Sequence, residues 1–432
     1  MREDWVECTF EELVYYSKGK KPKNLYKESA DNRLPYINIK AFEKNIIEEY
    51  SDDSNVNFCE NGNILMVWDG ARAGFSGKSS KGIVGSTLMK ILPTIGVTNN
   101  YLYYFLQSLY KFLNTNTKGV GIPHVEPILL WKKKVGLPPL PEQRAIVKKI
   151  EALFSSLDAG IADLKKAQDQ LKIYRQAVLK KAFEGIRNEK TLEEIKNDSM
   201  IGLVKSNAEQ FEVGETPYIK MNNITMDGKT DIANTVFVKV TDFEKDKYNL
   251  LKGDLLINTR NSFELVGKTG IIREDLPGYV FNNNLMRLRV NKDVNPLFIF
   301  YQLIGPKLRK DMIAEKKATT SICALYQRDL FPLKVKVISS LEEQAQIVKE
   351  IESRLSVCDA VEQQIKDSLS QAEALRQSIL KKAFEGKLLT EEEIKACQLE
   401  ADYEPAAVLL EKIKAEKEAN KPVKKTKKKV RV

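Results

Sequence analysis

The chain has 432 residues, of which 43% are hydrophobic and 30% charged, enough to bury cores in two to four domains and too hydrophobic for a disordered polymer. No apolar run approaches the roughly 18 residues of a membrane span, and the opening "MREDWVECTF" lacks a basic region followed by an apolar one, so a soluble cytoplasmic protein is expected. The formal charge is +10, but the last twelve residues, "KPVKKTKKKVRV", carry seven of those positive charges and no negative one, leaving +3 for the rest. Net charge alone therefore does not define a partner, and residues 421–432 are expected to be a basic disordered tail.

The first 140 residues alternate short β-rich runs with Gly, Asn and Asp punctuation, then an aromatic helical stretch and a final strand in "KKKVGLPPL". This predicts a compact mixed globule over 1–140. A helical pattern follows over 141–185, with Ile150, Leu157, Leu164, Leu171 and Val178 seven residues apart and Leu153, Phe154, Ile161 and Tyr174 broadening the stripe. Pro141 suits a first helical turn, and Gly185 suits a left-handed stop.

The same organisation then recurs. Shifted by 201 residues without a gap, "EQRAIVKKIEALFSSLDAGIADLKK" (142–166) falls on "EQAQIVKEIESRLSVCDAVEQQIKD" (343–367), and "RQAVLKKAFEG" falls on "RQSILKKAFEG" with nine of eleven positions identical. The second copy places Ile351, Cys358, Ile365, Ala372 and Ile379 at the heptad sites; Ser340 with Glu343 forms a capping-box pattern, and Gly386 ends the helix. Looser echoes run in the same order through the globules: "LPYINIK" with "TPYIKMN", "NGNILMVWDGARAG" with "KGDLLINTRNSFEL", "STLMKIL" with "NNLMRLR" and "NNYLYYFLQ" with "VNPLFIFYQ".

An α+β fold is expected, with two mixed α/β domains separated by two long helices in an antiparallel coiled coil, related by a pseudo-twofold internal repeat. The boundaries are a first head over 1–140, a central helix over 141–185, a second head over 186–339, a distal helix over 340–386, a C-terminal helical extension over 387–420, and the tail. Each long helix of about 43 residues would run about 65 Å.

Little points to chemistry of the chain's own. Its five cysteines are far apart and form no C-x-x-C pair, so reduced structural thiols are expected and no metal site. "GARAGFSGKSS" (70–80) contains a "GKS", but a phosphate loop would need glycine where Arg72 stands. No Asn-Pro-Pro-Tyr or Asp-Pro-Pro-Tyr marks an adenine methyltransferase site. The lone histidine, His124, argues against His-based triads and has a packed or surface role by default. No catalytic residue is expected.

The two long helices introduced by "LPPLPEQRAIVKKI" and "SSLEEQAQIVKEI" and closed by "LKKAFEG", with "WDGARAG" and "YEPAAVLLEKIKAEKE", resemble the specificity subunits of type I restriction-modification systems. The resemblance spans nearly the whole chain. It implies two target-recognition domains that each read half of a bipartite DNA sequence, with the helices as a spacer setting the unread gap. It also implies two modification subunits that methylate adenine with S-adenosylmethionine, and restriction subunits that use ATP and magnesium; this chain would bind no cofactor itself. The second copy lacks the "PPLP" entry and the "WDG" tripeptide, so base-reading roles do not transfer between heads.

Loops with donors and acceptors are the candidates for DNA contact. In the first head these give Asn38, Lys40, Asp69, Arg72, Ser76, Lys78, Ser79, Lys118 and His124; in the second, Lys220, Asn222, Asn223, Arg260, Asn261, Ser262, Lys316, Lys317 and Thr320. Glycines at 70, 74 and 77 would let backbone approach a groove, although a plain surface hairpin accounts for the stretch equally well. The repeated helix ends, Arg175, Lys180, Lys181 and Phe183 with Arg376, Lys381, Lys382 and Phe384, are expected to dock two identical partners. Two other readings compete: a coiled-coil scaffold whose heads bind proteins, and the specificity part of a system whose partner fuses cleavage with methylation.

Overall fold

The computed structural model describes residues 2, 4–119, 121–315, 317–318 and 323–420, with backbone alone at 317–318. The expected tail lies outside the described residues. The chain divides into two compact units, Met1–Asp163 with Ser368–Val432, and Leu164–Asp367.

In the first unit, an antiparallel four-stranded sheet has the order Val14–Lys18, Leu88–Pro93, Ile64–Val67, Ser76–Lys78. The "ILMV" strand is buried on both faces. Ile64 and Met66 join the main core with Phe10, Ile91 and Phe105, while Leu65 and Val67 point to a second layer with Ile37 and Val84. That layer is a sheet ordered Tyr50–Ser51, Leu34–Ile37, Gly82–Val84, Phe58–Cys59, in which Leu34–Ile37 and Gly82–Val84 run parallel. Helix Asn99–Thr115 closes the core with Tyr101, Leu102, Phe105, Leu106, Leu109 and Leu113 inward, and Thr98 caps its start by accepting from the Tyr101 amide at 3.3 Å.

The second unit repeats this plan: Lys196–Ile201, Leu285–Val290, Leu255–Asn258, Thr269–Ile271 form the first sheet, and Gln210–Phe211, Val236–Val238, Thr216–Ile219, Val280–Phe281 the second. One expectation fails in it. The single aromatic helix of the first head is broken into Pro296–Leu303 and Pro306–Ala314, because Pro306 has no amide to continue the first segment and its ring disfavours helix before it.

The long helices are Leu140–Ala182 and Leu341–Phe384. Gly185 and Gly386 end them at φ +86° and +75°, the left-handed conformation their side-chain-free backbone adopts without strain. In the first unit the start of one helix packs on the end of the other: Ile146, Val147, Ile150 and Phe154 meet Ile379, Leu380 and Ala383, and Arg376 pairs with Asp158. In the second unit Arg175 bonds Asp359 at 2.5 Å and Glu362 at 3.0 Å. These two Arg–Asp pairs are the same pair displaced by 201 residues, so the helices run antiparallel and the repeat is pseudo-twofold. The heptad positions of the second helix are buried throughout, including Cys358, Ile365 and Ala372. Leu153 and Tyr174 do not broaden the seam; both are exposed.

Two buried glutamines tie each helix start to its head. The Gln143 side chain accepts from the Thr98 amide and donates to the Gly96 and Pro138 carbonyls; Gln344 accepts from the Asn295 amide and donates to the Asp293 and Ile338 carbonyls. Thr98 and Asn295 cap equivalent head helices, so one residue type in one register fixes both junctions. The extension adds helices Glu391–Gln398 and Ala406–Ala419 to the first unit, where Leu409, Leu410 and Ile413 enter the main core. All five cysteines are free and buried, and burial pushes the Cys8 thiol up to about 12.

Candidate nucleic-acid interface

In the first head a hairpin joins Ile64–Val67 to Ser76–Lys78. The Gly74 amide donates to the Val67 carbonyl and the Val67 amide to that of Phe75, both at 2.8 Å. Gly74 has φ +89°, and a Cβ there would stand 2.7 Å from Leu113 Cβ, so only glycine closes this turn over the helix. Trp68 anchors its base, stacked 5.7 Å from Trp131, which stacks in turn on Tyr16.

Beyond that anchor three candidates come together. Asp69 bridges His124 through backbone, and His124 bridges Lys118. Side-chain charges nearby are compensated: Lys18 holds Asp69 at 2.8 Å, and Lys118 pairs with Glu126, holding that carboxyl below its usual range. Arg72 lies 4.0 Å over the Phe75 ring and bonds Glu43 at 2.8 Å. Lys78 is exposed beside Tyr103, and Lys40 is exposed but paired with Glu48. Asn38 caps helix Ile39–Lys44, accepting from the Ala41 amide at 2.9 Å.

The second head builds the same hairpin two residues longer, closed by the Gly267 amide on the Asn258 carbonyl at 2.7 Å and the Asn258 amide on that of Lys268 at 2.8 Å. Arg260–Asn261 pairs with Cys323–Ala324, which pairs with Lys317–Ala318. Arg260 thus takes the place of Asp69, Ala324 that of His124, and Lys317 that of Lys118. Asn222 is exposed on the short turn Met221–Asn223, which the buried Lys268 ammonium secures by donating to the Met221 and Ile224 carbonyls at 3.0 and 2.6 Å. Burial, with Arg309 nearby, lowers the pKa of that lysine. Lys220 donates to Gln210 at 2.7 Å, and the Asn261 carbonyl oxygen accepts from the Ser262 amide at 2.8 Å.

Several expected contacts are buried and hydrogen-bonded within the protein. Ser76 is 1% exposed and bonded by Gln107; Ser79 is buried and donates to the Glu60 carbonyl; Asn223 is buried, with its amide spent on the Lys220 amide and the Asp231 and Asn234 carbonyls. All three brace hairpins and turns in this structure. Among the helix-end residues, Arg175 and Arg376 are consumed by the helix pairing, and Phe183 and Phe384 pack against Phe298 and against Tyr101 and Phe105. Lys180, Lys181, Lys381 and Lys382 remain exposed. Lys316, Thr320 and the Lys317 side chain fall outside the described residues.

Sequence reasoning missed Lys18, Asn283, Tyr326 and Arg328, which border the two hairpins. Only overlay of the two heads exposes them, since each sits in a segment with no motif. Among the described residues no cluster of His, Cys, Asp and Glu could hold a metal ion, and no helix is long and apolar enough to cross a membrane.

Two head-and-helix units, each presenting a bridged pair of loops and related by an internal repeat, define a duplicated recognition protein. The family model of the type I restriction modification DNA specificity domain matches residues 2–166 and again 188–371, and the chain belongs to that family. It is 28% identical over 342 residues to the type I restriction enzyme EcoKI specificity subunit of Escherichia coli, covering 75% of this chain and 73% of that protein. It is 26% identical over 412 residues to the MjaVIII specificity subunit of Methanocaldococcus jannaschii, covering 89% and 93%. In fold it is similar to a chain from a solved structure of type I R-M complex assembly, with TM-score 0.70 and 18% identity over 90% of this chain and 99% of that one. The HsdS subunit from Thermoanaerobacter tengcongensis gives TM-score 0.50 and 18% identity over 90% and 98%.

Proposed function

We propose that this chain is the sequence-reading subunit of a type I restriction-modification complex, each head recognising one half of a bipartite DNA target. The observation that carries the reading is the duplicated site: one family domain per unit, each presenting a hairpin bridged to a second loop. Residues 1–140 and 186–339 are the recognition domains, 141–185 and 340–386 the spacer, and 387–420 a strap on the first head. Exposed Lys78, Asn222 and Arg260 are the leading DNA contacts, supported by Lys40, Asp69, Arg72, Lys118 and His124, with Asn38, Lys220, Asn261 and Ser262 shaping the loops. The exposed lysines at the two helix ends face partner subunits.

Methyl transfer with S-adenosylmethionine, and translocation and cleavage with ATP and magnesium, belong to two modification subunits and to restriction subunits in the cytoplasm; this chain selects the site. The test is a genome-wide map of adenine methylation by long-read sequencing in cells carrying the partner methylase, with and without this chain. A bipartite motif that appears only with the chain is expected. No new motif, with both proteins expressed and associated, would overturn the reading in favour of a protein scaffold.

A further inference from the structure

Beside the hairpin of the second head lies a cavity of about 560 Å³, floored by the buried Thr259 and Leu325 and bordered by Arg260, Asn283, Tyr326 and Arg328. Arg260 is unpaired among the described residues, and the Arg328 side chain, 72% exposed, has only a long ion pair with its chain neighbour Asp329 at 3.7 Å. The Arg328 guanidinium lies 5.1 Å from the Tyr326 ring centroid, within cation–π range.

The internal repeat shows that the fold does not require this charge. The Leu325 amide donates to the Thr259 carbonyl at 3.0 Å just as the Val125 amide donates to that of Trp68, and the Thr259 and Trp68 amides bond Asn284 and Thr87 alike at 2.8 Å. Tyr326 and Arg328 therefore stand where the first head has Glu126 and Ile128. There, Asp69 is cancelled by Lys18, Glu126 is paired with Lys118, and Ile128 is exposed. The same scaffold is built in one head with balanced charge and in the other with two exposed guanidinium groups around a hollow, one unpaired among the described residues and one held only by a long ion pair to its chain neighbour.

We propose that Arg328 reads a guanine in the half-site held by the second head, beside Arg260, which contacts bases of the same half-site across the cavity. A guanidinium fork matches the O6 and N7 acceptors of guanine in the major groove. The Tyr326 ring contacts the fork from one side, and Asn283 supplies neutral donor and acceptor groups that a phosphate site would not need. The first head makes no such contact at the equivalent place. This assignment rests on the DNA-reading function proposed above.

The test uses the full chain assembled with its methyltransferase subunits and duplexes carrying the mapped target, in which single guanines of the second half-site are replaced by 7-deazaguanine. Arg328→Ala is expected to weaken cognate binding roughly 10- to 100-fold, the range of one bidentate contact. At one guanine the 7-deaza change should weaken the unaltered complex comparably and the variant no further, with discrimination at the first half-site unchanged. Arg328→Lys should keep the salt dependence but lose that discrimination. Equal loss on cognate and scrambled second half-sites with a shallower salt dependence would overturn base reading in favour of a phosphate contact. No loss, or a second half-site without any G·C pair, would also overturn it. An unaltered complex without any sequence preference would instead overturn the DNA-reading function itself.

Discussion

At the scale of single residues, the repeat acts as an internal control, because each head shows what the other could have been. Asn258 is fully buried at the end of Leu255–Asn258, and neither its side-chain oxygen nor its nitrogen has a partner among the described residues, whereas the first head has Val67 at that place. Leaving such groups unbonded costs about 1–3 kcal/mol. Asn258→Val is therefore expected to raise stability by about 1–2 kcal/mol in urea unfolding; destabilisation would mean that ordered water satisfies the amide. The exposed cations divide by role. Arg260→Ala should abolish or relax recognition of one half-site only, while Lys78→Ala should weaken binding to all sequences and reduce its salt dependence, as binding to half-site variants over a salt series would reveal. Uniform loss after Arg260→Ala would remove it from base reading. Ser76, Ser79 and Asn223 were plausible from sequence because hydroxyl and amide groups on loops suit DNA. The same groups also suit turns, and tertiary bonding alone decides between the two.

At the scale of elements, legibility followed periodicity. The seven-residue repeat placed Ile150, Cys358, Ile365 and Ala372 in the seam because helical spacing converts directly into a face, and the two stop glycines adopt the left-handed conformation their position implied. Leu153 and Tyr174 escaped that logic, since a pair of helices buries a narrower stripe than a bundle does. The break at Pro306 was in plain view but outweighed by the echo with an unbroken helix. The strap's destination was not legible at all. Gly96, at φ +76°, leaves space that Leu409 fills, and a Cβ there would come within 2.3 Å of Leu409 Cδ1; the second head has Asp293 at the same point. The first head, with glycine at this point, receives the helix Ala406–Ala419. Ile413→Ala, at a fully buried position, should cost about 2–5 kcal/mol. Gly96→Asp should release the strap, read as new proteolytic cleavage within 399–420; an unchanged digest would show that the helix docks without that space.

At the scale of the whole molecule, duplication yields two loop surfaces that differ in chemistry but share a frame. The heads differ where a reader would need difference, at Asp69 against Arg260 and Ile128 against Arg328, and agree where a frame must, at Gln143 with Gln344 and at the Arg–Asp pairs of the helices. If each head reads one half-site, such a division would let the frame set the distance between half-sites independently of what each head reads. Four residues inserted after Lys166 and four after Asp367 add about one helical turn, about 6 Å, to both helices and preserve their antiparallel register. The expected outcome is a methylated motif with both half-sites unchanged and a longer gap, mapped by long-read sequencing with the partner methylase. An insertion in one helix alone would keep Arg175–Asp359 and Arg376–Asp158 from forming together, and should abolish methylation without creating a new gap. If the double insertion kept the original gap, the spacing would have to come from the DNA or the partner subunits, and the helices would serve only to join the heads.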